Sequence, residues 1–218
     1  LSLTPFIHGL VGYWPLSDGS GAVAYDKSGW GNNGNLEGAT DLPTWTTPNC
    51  LTSSPCLSFD GSDDLVDVPY NSSLNGSAQV TVVAWINPAN FTNAYQGIVG
   101  RNNNGAYNLM FNGNTGNLRI ELGGSSYIDN VTALTAGSWT LVAVVVNETN
   151  STIGFYINGS LDKTVSITGY PSLSGLTDLY LGYEGMTGRN LTGKMDNTRV
   201  YNTALSANQI KAIYNAKQ

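Results

Sequence analysis

Two alternating apolar runs commit this chain to β-architecture. Val80, Val82, Ala84 and Ile86 interleave with Thr81, Val83 and Trp85, and Trp139, Leu141, Ala143 and Val145 interleave with Thr140, Val142 and Val144. Successive side chains of a strand point to opposite faces, so runs of this kind are strands buried on one or both faces. Clusters of Gly, Asn and Ser punctuate the chain at short intervals, as at 102–105, 112–116 and 123–126, which is the spacing of an all-β domain. The clearest hairpin is Phe155-Tyr156-Ile157-Asn158-Gly159-Ser160-Leu161, where Asn-Gly supplies the two positive-φ positions of a type I′ turn.

Only the C-terminal segment reads as helix. Ser206-Ala207-Asn208-Gln209 has the form of a capping box, with Ile210, Ile213 and Tyr214 on one face, which predicts a short helix over 206–217. Just before it, residues 193–202 alternate as a strand whose Met195, Val200 and Tyr201 pack into the fold.

At 218 residues the chain fits one domain over 1–218, long enough to bury a sizeable core. Charged residues are 11% and the formal net charge is −6, so no basic surface is available to neutralise phosphates, which argues against nucleic acid and anionic lipid as partners. The longest apolar runs, 79–86 and 141–146, fall far short of the roughly 20 residues that span a bilayer, so no membrane insertion is expected.

Several features point to the secretory route. Eight Asn-x-Ser/Thr tripeptides occur, at Asn71, Asn75, Asn90, Asn130, Asn147, Asn150, Asn158 and Asn190, and occupied sites would place glycans on exposed backbone. The other reading is that an Asn-, Ser- and Thr-rich chain generates such tripeptides by chance. Cys50 and Cys56, with Pro48 and Pro55 nearby, have the spacing of a disulfide closing a short loop in an oxidising compartment. Two zinc ligands would need further cysteines, and His8 is the sole histidine. Leu1 in place of a methionine is what a removed signal peptide would leave, although an excised segment would begin the same way.

The order of short motifs carries a resemblance. Gly12-Tyr13-Trp14-Pro15-Leu16 is followed by Asp26-Lys27-Ser28-Gly29-Trp30-Gly31-Asn32-Asn33-Gly34, then Leu57-Ser58-Phe59-Asp60-Gly61 and Val83-Ala84-Trp85-Ile86. Gly137-Ser138-Trp139, Tyr156-Ile157-Asn158-Gly159 and Leu181-Gly182 come next, and the series closes on Asp196-Asn197-Thr198-Arg199-Val200-Tyr201 within the 193–206 segment. This succession resembles the laminin G-like branch of the concanavalin A-like lectin/glucanase superfamily over nearly the whole chain. The resemblance implies a jelly-roll sandwich of two antiparallel sheets with the N- and C-terminal strands adjacent. It also implies Ca²⁺ near the paired ends, with Asp26, Asn32, Asn33 and Asp196 as ligands in an oxygen shell. Turn chemistry competes for the same residues, since Asp26-Lys27-Ser28-Gly29 accepts hydrogen bonds from its own amides in any case. A second acidic cluster, Asp60, Asp63 and Asp64 with Asp67, lacks the pattern of a calcium loop and reads as a solvated turn.

Catalysis finds little support. Glycoside hydrolysis needs two carboxyl groups flanking the scissile bond, and the Glu-x-Asp-x-x-Glu strand of laminarinase-type relatives is missing. Glu37, Glu121, Glu148 and Glu184 stand isolated, although distant carboxylates can converge in space. His8, in the apolar stretch Pro5-Phe6-Ile7-His8-Gly9-Leu10-Val11, reads as a strand residue rather than a base, and no glycine-rich segment carries a phosphate-loop lysine.

Two non-enzymatic classes follow. One is a secreted, N-glycosylated structural or adhesion protein of the cell surface, assembling with copies of itself into an extracellular filament or coat, with residues 1–11 as an exchangeable strand pairing with a neighbour or within its own sandwich. The other is a calcium-dependent lectin module for glycans, in which Trp30, Trp45, Tyr95, Tyr107, Tyr127, Tyr170 and Tyr183 supply rings for stacking on sugars.

Overall fold

The computed structural model describes residues 7–76, 78–101, 106–124, 126–169 and 173–217. Along the first half run β1 (Leu10–Trp14), β2 (Val23–Ala24), β3 (Gly34–Glu37), β4 (Thr44–Thr46), β5 (Cys56–Asp60), β6 (Leu65–Val68), β7 (Gln79–Pro88) and β8 (Tyr95–Gly100). The second half adds β9 (Tyr107–Asn112), β10 (Leu118–Leu122), β11 (Ser126–Asp129), β12 (Thr140–Asn147), β13 (Thr152–Ile157), β14 (Ser160–Ser166), β15 (Leu179–Leu181) and β16 (Thr192–Tyr201), and closes on helix α1 (Ala207–Ala216).

The strands form two antiparallel sheets. The first has the order β14-β13-β12-β7-β16-β5-β4, with β1 also paired to β16, and the second the order β11-β10-β9-β8-β15-β6-β3-β2. Their inner faces enclose the main core, to which Trp14, Phe59, Tyr107, Phe111 and Phe155 contribute the largest rings. The expected jelly-roll sandwich is therefore present, with the terminal strands β1 and β16 adjacent.

One device closes the two ends of the chain. β5 pairs with β16 through residues 192–195 and β1 through 198–201, so both partners share one side of β16, end to end. Asp196 and Asn197 occupy the gap, where the register with β7 slips. Asn197 takes a left-handed backbone (φ 47°) and donates its N–H to Pro15 O at 3.1 Å.

The first sheet is buried on both faces, which explains the unbroken apolar runs of β7 and β12. Its outer face carries Val83, Trp85, Leu141, Ala143 and Val145, and α1 covers them with Ile210 and Ile213. Trp85 stacks on Tyr214 at 5.6 Å between ring centres. The capping box forms as expected at Ser206 and Gln209, fixing where the helix begins. The hairpin turn also forms, with Asn158 at φ 51° and Gly159 at φ 75°. Cys50 and Cys56 are joined by a disulfide. Among the described residues no helix is long and apolar enough to cross a membrane.

Two expectations need correction or restriction. His8 lies exposed in a turn ahead of β1, not in a strand, because Gly9 at φ 72° turns the chain there. Of the stretch 1–11, Leu10 and Val11 belong to β1, which pairs with β16 of the same chain, while residues 1–6 lie outside the described residues. The turn cluster 102–105 and Tyr170 also lie outside them.

Candidate functional site

With α1 over the outer face of the first sheet, the outer face of the second sheet offers a broad surface for a ligand. Its side chains follow from register. Tyr127 opposes Glu121, Glu121 opposes Asn108, Asn108 opposes Gly100, Gly100 opposes Tyr180, Tyr180 opposes Asp67, and Asp67 opposes Asn35. Directly opposed residues point to the same face, so these seven positions form one row across β11, β10, β9, β8, β15, β6 and β3. The next row carries Asp129, Arg119, Met110 and Gly97.

The loop after β15 crosses this face. It lies directly on the sheet because Gly97 and Gly100 have no side chains: a methyl group at Gly97 would overlap the backbone of Tyr183 and Glu184. The loop brings Tyr183, Glu184 and Arg189 onto the row. Glu184 is fully buried and pairs with Arg189 at 3.0 Å.

Arginine and tyrosine interleave on one side of the crossing. Arg189 lies 4.6 Å over the Tyr95 ring, and Arg119 lies 5.8 Å from that ring and 5.3 Å from the ring of Tyr127. Arg119 is held by a two-pronged bond to Asp129, at 2.7 and 2.9 Å. Tyr127 is 53% exposed, so one ring face is open to solvent. On the other side, Tyr183, Thr187 and Asn190 of the loop face Leu36, Glu37, Leu65 and Asp63 across a cleft of about 620 Å³.

Among the described residues, Glu121 Oε1, Glu184 Oε2 and Asp67 Oδ1 on this face are buried carboxylate oxygens without a hydrogen-bond partner. Glu121 Oε2 accepts from Asn108 Nδ2 at 3.3 Å. Burial pushes Asp67 up to about 6, helped by the charges of Asp178 and Glu37. Burial also raises Glu184; Arg189 opposes the shift and Glu121 adds to it. Exposed Tyr127 is raised chiefly by the charge of Glu121. The face carries buried carboxylates beneath a frame of aromatic rings, with Asn35 and Glu37 exposed at its margin.

Glu121 and Glu184, isolated in sequence, are thus neighbours in space. No sequence signal marks them, because only the register of β9, β10 and β11 and the path of the loop bring them together. Tyr95, Tyr127 and Tyr183 were among the expected rings and lie on this face, whereas Tyr180 was not anticipated. Of the other expected aromatics, Tyr107 is core, Trp45 is half-buried against it, and Trp30 is exposed far along the chain with Nε1 on Leu10 O.

The residues expected to hold Ca²⁺ have other engagements. Asp26 Oδ1 accepts from the Tyr13 and Ser28 amides, and Oδ2 accepts from Ser28 Oγ and the Asn32 amide, all within 2.9 Å. Asn33 Oδ1 accepts from the Asp26 amide, and Asn32 donates to Val11 O and Ser73 Oγ. Asp196 is buried beside Asn197, which donates to it at 2.8 Å, and burial pushes it up to about 7. With both Asp26 oxygens turned to chain donors, this set does not fit an oxygen cage for Ca²⁺; Asp26 organises a turn between the paired ends. Asp41, Asp60 and Asp63 present carboxylate oxygens within 4.8 Å of one another on an exposed loop edge.

The sequons divide by burial. Asn130 and Asn190 are buried, and their Nδ2 atoms, where a glycan would attach, donate to Thr132 O and Asp64 O. At these two positions the amide nitrogen is engaged in packing. Asn150 is exposed, and Asn71, Asn75, Asn90, Asn147 and Asn158 are half-buried. Those five use Oδ1 to accept hydrogen bonds from the chain.

A family model, Laminin_G_3 of the concanavalin A-like lectin/glucanases superfamily, matches residues 60–211. The chain belongs to this superfamily. No curated protein matches it. Among solved structures, the binding domain of Paraclostridial Mosquitocidal Protein 1 superposes with a TM-score of 0.74 at 21% identity, covering 95% of this chain and 52% of that one. Domain 4 of AbnA, a GH43 extracellular arabinanase from Geobacillus stearothermophilus, in complex with arabinotriose, gives 0.74 at 19% identity, covering 94% and 98%. A botulinum neurotoxin type C structure, described as dependent on two ganglioside molecules for cell entry, gives 0.70 at 14% identity, covering 100% and 53%. The chain spans about half the length of the two toxin chains. At these identities the likeness shows a shared fold.

Proposed function

We propose that this chain is an extracellular, non-catalytic carbohydrate-binding module that holds oligosaccharide on the outer face of its second sheet. One observation carries the reading: Tyr127, Tyr95, Tyr180 and Tyr183 frame a face whose margin presents the exposed polar side chains of Asn35 and Glu37. Sugar rings stack on aromatic faces through their C–H surfaces, and their hydroxyls can bond to the exposed side chains of Asn35 and Glu37 on the same face. The neighbours bound to arabinotriose and linked to gangliosides support the same class of ligand.

Binding without catalysis is favoured by the state of the two glutamates. A glycosidase needs one carboxyl presented to the leaving oxygen and a second free on the opposite side. Here Glu184 is fully buried and tied to Arg189, and Glu121 is buried against Asn108. The disulfide and the exposed or half-buried sequons fit an extracellular glycoprotein. The filament or coat reading has weaker support, because the described part of the N-terminal stretch pairs inside its own sandwich and the edge strand β14 carries Asp162 and Lys163, charges that discourage edge pairing.

The test is isothermal titration of the chain against a panel of neutral oligosaccharides, repeated with Tyr127→Ala, alongside assay for released reducing ends. The proposal expects binding that weakens about tenfold or more in the variant, with no product. Turnover would replace it with a hydrolase; an absence of binding across the panel would remove it.

A further inference from the structure

We infer that this face selects saccharides without acidic groups, neutral or amino-bearing, and rejects those carrying carboxylate or sulfate. The inference rests on the carbohydrate-binding reading above and adds the class of sugar.

The charge on the face is lopsided. Glu121 and Asp67 stand on the central row, Asp129 on the next, and Glu184 on the crossing loop. Glu37 and Asp178 border Tyr180 and Asp67 closely enough for their charges to raise both groups. Arg119 and Arg189 are the cations among these groups, and neither is available to an incoming anion. Arg119 is committed to Asp129 at 2.7 Å and Arg189 to Glu184 at 3.0 Å, and each also lies over a tyrosine ring. Lys163, at the margin beyond β11, donates to Asp129 O at 2.6 Å. Among the described residues, the cleft on the other side of the loop is lined by Glu37 and Asp63 with no basic residue.

Hydrogen bonding points the same way. Glu121 Oε1, Glu184 Oε2 and Asp67 Oδ1 are acceptors without donors. These oxygens are closed off from solvent and act on a ligand through charge, whereas exposed Glu37 can accept from a hydroxyl or ammonium group; an incoming carboxylate or sulfate brings only acceptors and adds like-charge repulsion. Rejection by unpaired charge is one of the two routes to specificity, and this face is built for it.

The experiment compares matched pairs on the intact chain by titration calorimetry: lactose against sialyllactose, galacto-oligosaccharide against oligogalacturonate, with chitosan oligosaccharide as the cationic member. The expected result is that, in any pair that binds, the acidic member is weaker by about tenfold or more, and that the gap narrows in Glu37→Gln, an exposed position whose exchange leaves the fold intact. Acidic members binding as tightly as their neutral counterparts would overturn the selectivity while leaving the carbohydrate-binding reading standing. Failure of every member to bind, repeated on a broad glycan array, would overturn both.

Discussion

Glu184 rests on Gly97: the loop backbone at Tyr183 and Glu184 occupies the space that any side chain at position 97 would fill. A strand interior seldom favours glycine, so its presence here reflects close approach of a second segment. Gly97→Ala should force the loop off the sheet. We expect a loss of about 1–3 kcal/mol in urea-induced unfolding, as for other overpacking changes, together with weakened oligosaccharide binding as Arg189 leaves Tyr95. Unchanged stability and binding would show that the loop is not seated there.

Acidic groups with raised pKa values make stability depend on pH. Asp196 titrates at about 7 and Asp64 and Asp67 at about 6, against 3.8 for the free side chain, in each case chiefly through burial. The folded state therefore holds more protons than the unfolded state from about pH 4 to 7, so stability falls as pH rises through that window and levels off above it. Asp196 alone contributes on the order of 2 kcal/mol between pH 5 and 8, or about 4–8 °C in Tm for a domain of this size. Asp196→Asn keeps an acceptor for the Asn197 amide, and it should raise Tm at pH 8 and flatten the profile. A Tm that climbs from pH 5 to 8 would contradict this.

Glycan occupancy should follow burial rather than the tripeptide. Mass spectrometry of the chain made in a glycosylating host is expected to find Asn130 and Asn190 bare and exposed Asn150 modified. Sugar at Asn190 would require its bond to Asp64 O to break, and would refute the described packing.

The disulfide closes a short loop, Cys50 and Cys56 being separated by 6 in sequence. The chain-entropy model assigns such a loop about 2 kcal/mol. Reduction, or Cys50→Ser with Cys56→Ser, should lower unfolding stability by roughly that amount and leave oligosaccharide binding in place, since the loop lies on the first sheet.

What could be seen in the sequence was governed by local chemistry. The runs of β7 and β12, the Asn158-Gly159 turn and the Ser206/Gln209 box each encode their structure within a few residues, and all formed. The shared order of short motifs extended this to the fold. The site was hidden for the opposite reason. Glu121 and Asp67 lie on one row only through four consecutive strand pairings, and Glu184 reaches them only because Gly97 lets its loop descend. At Asp26 the local turn chemistry formed as well, with both carboxylate oxygens accepting from the chain's own donors.

The most direct test of the account is an amide-resolved NMR titration of the chain with a neutral oligosaccharide that binds. Shift changes concentrated on β8, β10, β11 and the loop carrying Glu184 and Arg189, and lost in Tyr127→Ala, are the predicted result. Changes centred instead on the Asp26 turn, Trp30 or the helix-covered sheet would contradict it.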